Sequence, residues 1–189
     1  MKYLIIALSL FLLYSCDGFN KFFPQSTFDN EYPQQNINIE KELGSYLVIK
    51  KDGDTLYLRL TGTKNKNTIS DMVTGDTLFN GKISLYKGIY YFTQAISDTS
   101  FWIYTMKLRK DLVYGIGSGH EQALYVDEEI LKGHFPEIVK YIDTTHHIIR
   151  LHPETESLHA LFTLVLNKMT PDTIIYRMKP VSFPKKIPL

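Results

Sequence analysis

Between residues 43 and 116 the chain is a succession of short apolar runs divided by turn chemistry, and this spacing limits the fold more than any other feature. Residues 45–50 and 55–60 flank Lys51-Asp52-Gly53-Asp54. Asp-Gly between two such runs is a strong hairpin signal, because both residues tolerate the positive φ that a tight turn requires. Residues 83–86 and 89–93 flank Lys87-Gly88, and residues 100–108 and 112–116 flank Arg109-Lys110-Asp111. No helical period intervenes, so the pattern predicts an antiparallel β-meander, a curved sheet or partial barrel.

A second regularity lies across these runs. Asp54-Thr55, Asp76-Thr77 and Asp98-Thr99 recur at a spacing of 22, and an aromatic (Tyr57, Phe79, Phe101) follows each Thr by two. Asp suits an Asx-type turn and β-branched Thr suits a strand start, so the three Asp should fall at one end of the sheet. An acidic rim for a cation such as calcium is the sharper reading. Each turn offers only one or two oxygens, however, where a calcium loop collects several, so repeated turn chemistry is preferred. The runs at 89–93 and 101–104 are apolar on both alternations, which predicts burial on both faces rather than an aromatic platform built on Tyr90, Tyr91, Trp102 and Tyr104.

Beyond a glycine loop at 115–119 the period changes. Asp127 is expected as an N-cap before Glu128 and Glu129, with Ile130, Leu131, Ile138, Val139 and Ile142 as apolar positions of two short helices broken by Gly133 and Pro136. Pro153, Glu154 and Glu156 open a clearer helix, in which Leu158, Leu161, Phe162, Val165 and Leu166 fall on one face. A strand is expected within 145–151 and a last one over 174–178. The class is therefore α+β: an antiparallel meander followed by two or three C-terminal helices and a last strand.

The start of the chain bears on location. One lysine, Lys2, precedes an uncharged run at 3–14. Twelve residues of helix reach roughly 18 Å, short of the roughly 30 Å of a bilayer core, so a processed signal fits better than a spanning helix. Leu13-Tyr14-Ser15-Cys16 resembles the lipobox of bacterial lipoprotein precursors, with Tyr14 where a small residue is usual. The resemblance implies that Cys16, the single cysteine, takes acyl chains and anchors the protein in a bilayer. A lone cysteine forms no intrachain disulfide and no thiolate zinc cluster, so it has no competing role. The organisation expected is a signal at 1–15, a tether at 16–42, one domain at 43–180 and a tail at 181–189. The block from Gly75 through Tyr104 is similar to stretches of uncharacterised Gram-negative lipoproteins, which implies the cell envelope, the outer membrane ahead of the inner, and no particular activity.

Removing residues 1–15 leaves 20 basic and 20 acidic side chains, which gives no reason to expect nucleic acid. His134, His146, His147, His152 and His159 crowd into one stretch, and His120 sits beside Glu121. No pair has zinc-ligand spacing, and adjacent His146 and His147 would point to opposite faces of a strand. The loop Gly115-x-Gly-x-Gly lacks the Lys-Ser/Thr of a P-loop, and Ser118 lacks the flanking glycines of a nucleophile elbow. Neither a cofactor nor a catalytic set is expected. Candidate ligand contacts are His120, Glu121, His147, His152, Tyr91 and Trp102. The expectation is a non-enzymatic envelope module that binds another envelope protein or a glycan, or acts as a scaffold. The alternative is a hydrolase or metal-dependent enzyme built on His120 and the 146–159 stretch.

Overall fold

A computed structural model of the protein describes residues 25–33, 35–116, 119–143, 145, 146 and 148–178. The elements run β1 (Gln25–Phe28), α1 (Ile39–Leu43), β2 (Tyr46–Lys51), β3 (Asp54–Gly62), β4 (Asn67–Asp71), β5 (Thr77–Tyr86), β6 (Ile89–Ser97), β7 (Ser100–Arg109) and β8 (Leu112–Tyr114). They continue with α2 (Gly119–Leu131), a 3₁₀ turn (Pro136–Ile138), β9 (Val139–Asp143), β10 (Ile148–Leu151), α3 (Thr155–Lys168) and β11 (Asp172–Met178).

The tight turns form where the sequence placed them. Asp52 and Gly53 both have positive φ, at 49° and 94°, and so do Lys87 and Gly88, at 45° and 78°. These left-handed pairs match the twist of the strands they join. Among the described residues eleven strands make one sheet, antiparallel except where β1 runs parallel to β10. Strands β2 to β8 each pair with the next in sequence. β11 then lies between β8 and β2 and joins both. These pairings complete a circuit of eight strands, from which β1, β10 and β9 extend as a side branch off β7. A plain succession of neighbours therefore does not describe the whole sheet. β11 reaches its place only after the chain has passed through α2, β9, β10 and α3.

The alternation of β6 and β7 explains why both faces are apolar. Tyr90, Phe92 and Met106 point into the circuit, with Leu47, Ile49, Leu58, Leu60, Ile83 and Val113. Ile89, Tyr91, Phe101 and Ile103 point outward into a second core, closed by Val126 and Ile130 of α2 and by Leu158, Leu161, Phe162 and Val165 of α3. Full burial of each such side chain is worth about 1.5–3 kcal/mol, so the helices and the sheet stabilise one another.

One end of the circuit is plugged. Ile39 and Leu43 of α1 enter the inner core, and buried Asn67 holds the helix in place. Its Oδ1 accepts from the Ile39 N–H at 2.9 Å, and its Nδ2 donates to the Ile37 carbonyl at 3.0 Å. Asn38 caps α1 by accepting from the Lys41 N–H at 3.0 Å.

Several expectations are corrected. β1 and α1 lie inside the predicted tether, so from Gln25 the chain belongs to the fold. Asp127 is not an N-cap: it lies in the third turn of α2, buried, because its carboxylate accepts from the backbone N–H of Ser26 at 2.9 Å and from the Ser26 hydroxyl. Val139 and Ile142 sit in strand β9 rather than a second helix, since β10 offers a free edge to pair with. The 22-residue spacing, read above as repeated turn chemistry, carries no repeated packing: Phe79 points into the inner core while Phe101 joins the outer one and Tyr57 is exposed. The predicted signal, Cys16 and the tail lie outside the described residues. Among the described residues no helix is long and apolar enough to cross a membrane.

Candidate functional site: the open end of the barrel

Opposite the α1 plug the circuit encloses a cavity of about 410 Å³. Leu56 and Leu58 of β3, Ile69 of β4, Leu78 and Phe79 of β5, Phe92 and Gln94 of β6, Trp102, Tyr104 and Met106 of β7, and Ile116 line it. No charged side chain contributes to the wall. The strand register orders the β6–β7 side in layers: Gln94 faces Trp102, then Phe92 faces Tyr104, then Tyr90 faces Met106. The amide of Gln94 and the indole of Trp102 thus lie nearest the rim.

A smaller recess of about 160 Å³ adjoins the cavity. It shares Trp102, Tyr104 and Gly119 and adds Ser26, Phe28, His120, Ala123 and Val126. It lies where β7 lacks a continuous neighbour, since β8 pairs with β7 at 107–109 and β1 pairs with it at Phe101. Gln122, 1% exposed, fills that gap. Its Oε1 accepts from the Thr105 N–H at 2.7 Å and from the Thr105 hydroxyl at 2.9 Å. Its Nε2 donates to the carbonyls of Thr105 at 2.7 Å and Gly115 at 2.9 Å. The side-chain amide stands in for the missing strand's peptide group. Gly115 must be glycine for this to happen: its φ is +88°, and a Cβ there would meet the Thr105 oxygen at 2.3 Å and Gln122 Nε2 at 2.8 Å.

Beside the recess, burial pushes the Asp127 carboxyl up to about 6, against the two hydrogen bonds from Ser26 that lower it. Asp127 therefore ties β1 to α2 by a charge that is costly to bury.

The predicted site residues separate into two groups. Trp102 lines both spaces, and His120, exposed, lines the recess. Tyr91 is a core residue: fully buried, edge-on to Phe162 with ring centroids 5.9 Å apart, its hydroxyl 3.1 Å from His159 Nδ1. Burial pushes that hydroxyl well above the usual tyrosine range. Tyr90 and Tyr91 are buried, as the apolar alternation predicts, and the half-buried Trp102 and Tyr104 face the cavity.

The described histidines do not converge. His152 Nδ1 lies 2.7 Å from Asp29 Oδ2, His146 Nδ1 lies 2.7 Å from Asp143 Oδ2, His134 Nδ1 lies 2.6 Å from Glu129 Oε2, and His159 faces Tyr91. Each one has a separate partner. Among the described residues no three His, Cys, Asp or Glu side chains could hold a metal ion. Glu121 is exposed near the N-terminus of α2, and His147 and Cys16 lie outside the described residues.

No protein-family model, no curated protein and no solved structure matches the chain.

The signal missed from sequence was parity. Within each strand the inward side chains alternate, Leu56 and Leu58 on β3, Phe92 and Gln94 on β6, and Trp102, Tyr104 and Met106 on β7, and that alternation selects the inward face. What parity alone does not show is that the circuit stays hollow at one end.

Proposed function

We propose that the protein is an envelope lipoprotein anchored through Cys16, whose domain is a non-enzymatic binding module that takes a small apolar ligand in the open end of the barrel. The observation that carries this is the 410 Å³ cavity, walled by apolar and aromatic side chains and free of charge. Eight-stranded barrels have an interior that side chains either fill or leave just wide enough for one small ligand. Here α1 fills one end and the other stays open. A cavity of this size lies within the range of small-molecule sites, which are mostly apolar with a few placed polar groups.

This replaces the glycan platform with an internal site. The metal-dependent alternative loses its support, because no three described His, Cys, Asp or Glu side chains gather and His134, His146, His152 and His159 face separate partners. The envelope location rests on the lipobox resemblance and on the single cysteine.

Two experiments test the two halves separately. Labelled palmitate should enter the wild type and not Cys16→Ala; equal labelling removes the anchor. The neutral dye N-phenyl-1-naphthylamine should gain fluorescence on saturable binding to the protein, and Leu56→Trp, which narrows the opening, should weaken that binding at least fivefold. No saturable binding, or binding indifferent to the substitution, removes the cavity as a site.

A further inference from the structure

Building on the cavity as a binding site, we propose that its ligand is a single-chain amphiphile with a cationic head group, the alkyl chain inside the barrel and the head held at an acidic rim. Three independent features point there.

The first is the chemistry of the wall. Deep in the cavity Leu58, Ile69, Phe79, Phe92 and Met106 offer only dispersion and desolvation to a ligand, which suits a hydrocarbon chain. No basic side chain in the wall could pair with a carboxylate or phosphate, and burying such a head there would leave its charge uncompensated.

The second is the set of polar tips nearest the rim. The Gln94 amide, the Trp102 indole N–H and the Tyr104 hydroxyl have no hydrogen-bond partner among the described residues, and all three line the cavity. Trp102 and Tyr104 also present aromatic faces, on which an ammonium group is attracted by the ring quadrupole.

The third is the charge at the opening. Asp54 opens β3, Asp76 immediately precedes β5, and Asp98 lies in the turn before β7. Leu56 and Trp102 of those strands line the cavity, and the exposed Leu78 borders its mouth. At a rise of about 3.4 Å per residue, Asp54 and Asp76 stand roughly 7 Å along the strand from those side chains. All three Asp are exposed. The carboxylates expected to close Asx turns accept no hydrogen bond among the described residues; Asp71 performs that task in the β4–β5 turn, accepting from the Val73 N–H at 2.7 Å. Asp52, Glu121 and Asp172 belong to the same end, close enough for Asp52 and Glu121 to raise the Asp172 carboxyl while Lys51 lowers it. Burial is the larger cause of that rise. Lys50 and Lys51, at the end of β2, and Arg150, whose guanidinium donates to the Thr99 carbonyl and the Ser100 hydroxyl beside Asp98, are the basic side chains set against this acidic group. The turns at the plugged end carry a net opposite sign, with Lys64, Lys66, Lys87, Arg109 and Lys110 against Asp111.

Trp102, the only tryptophan in the chain, reports the test directly. Its emission is titrated at low ionic strength, below micelle concentrations, with three dodecyl probes: dodecyltrimethylammonium, monododecanoylglycerol and dodecanoate. Dodecyltrimethylammonium should bind about tenfold more tightly than dodecanoate, with the neutral ester between. Raising salt should shrink that ratio, since exposed charges are screened over about 10 Å at 0.1 M. The combined variant Asp54→Asn, Asp76→Asn, Asp98→Asn should bring the ratio below threefold and leave the neutral ester's affinity unchanged. If the three probes bind equally, or dodecanoate binds best, or the ratio ignores both salt and the variant, the cationic head group is wrong while the cavity remains a binding site. If no probe moves Trp102 emission, the binding module fails with it. The salt series needs no variant, so a misfolded triple mutant does not rescue the proposal.

Discussion

Gln122 offers the sharpest test of how the barrel wall is completed. Replacing it with Leu keeps the volume and deletes four hydrogen bonds: two accepted from Thr105 and two donated to the carbonyls of Thr105 and Gly115. The side chain is 1% exposed, and Thr105 is equally buried, so water cannot readily replace the amide. A buried polar group left without a partner costs about 1–3 kcal/mol. Three backbone groups are orphaned, and with partial relaxation the expected loss is roughly 3–6 kcal/mol. That is a large share of the about 5–15 kcal/mol that holds a domain together. Gln122→Glu keeps an acceptor for Thr105 but sets a carboxylate against two carbonyl oxygens. It should be destabilised at neutral pH and recover as pH falls, because burial raises the folded pKa and stability gained by protonation is lost as pH rises through it. Urea unfolding followed by far-ultraviolet circular dichroism and Trp102 emission measures both variants. A Gln122→Leu protein within 1 kcal/mol of wild type would refute the idea that this amide substitutes for a strand.

The other predictions concern neighbours of that gap and the outer core. Asp127 has a folded pKa of about 6 against an ordinary 3.8, so the carboxyl favours the fold fully below pH 3.8 and that benefit is lost as pH rises toward 6. A shift of about two units corresponds to about 3 kcal/mol, so Asp127→Asn, which keeps the acceptor for Ser26 without the charge, should gain on wild type by up to that amount between pH 4 and pH 7.5; parallel stabilities at both pH values in urea titrations would count against it. Gly115→Ala should cost more than about 2 kcal/mol, from the left-handed backbone and the 2.3 Å approach to the Thr105 oxygen, and a melting temperature unchanged from wild type would show that the loop simply yields. Leu161→Ala, in the outer core and fully buried, should cost about 2–5 kcal/mol and leave affinity for the neutral dye unchanged, because it removes nothing from the cavity wall.

Much of the fold was legible because local chemistry determined it. Gly53 and Gly88 take positive φ without steric cost and Asp52 tolerates it, so tight turns form there, and the spacing of Leu158, Leu161, Phe162, Val165 and Leu166 is what a helix on a sheet requires. The apolar alternation of β6 and β7 was equally informative, since only a strand with a core on each side tolerates it. Long-range pairing was not legible. β1 looked like linker because its partners, β10 and Phe101, lie more than 70 residues away, and β4 carries Asn67 and Ser70 where a strand usually shows apolar residues. Asp127 mimicked an N-cap, as a short acidic side chain ahead of a glutamate pair does; only Ser26, arriving from β1, shows why it is buried within the helix. Of the candidate contacts, Trp102 on β7 and His120 on α2 line the two spaces, whereas Tyr91 lies on the outward face of β6, one residue from the inward Tyr90 and Phe92.

The barrel as a container for one apolar ligand is tested most directly by native mass spectrometry of the full lipidated protein, extracted from its own envelope in a mild detergent. The protein should carry one non-covalent small molecule per chain, in addition to the covalent acyl groups, and Leu56→Trp should carry markedly less. Protein that leaves the envelope with no bound small molecule, or a bound mass unaffected by narrowing the opening, would contradict the account.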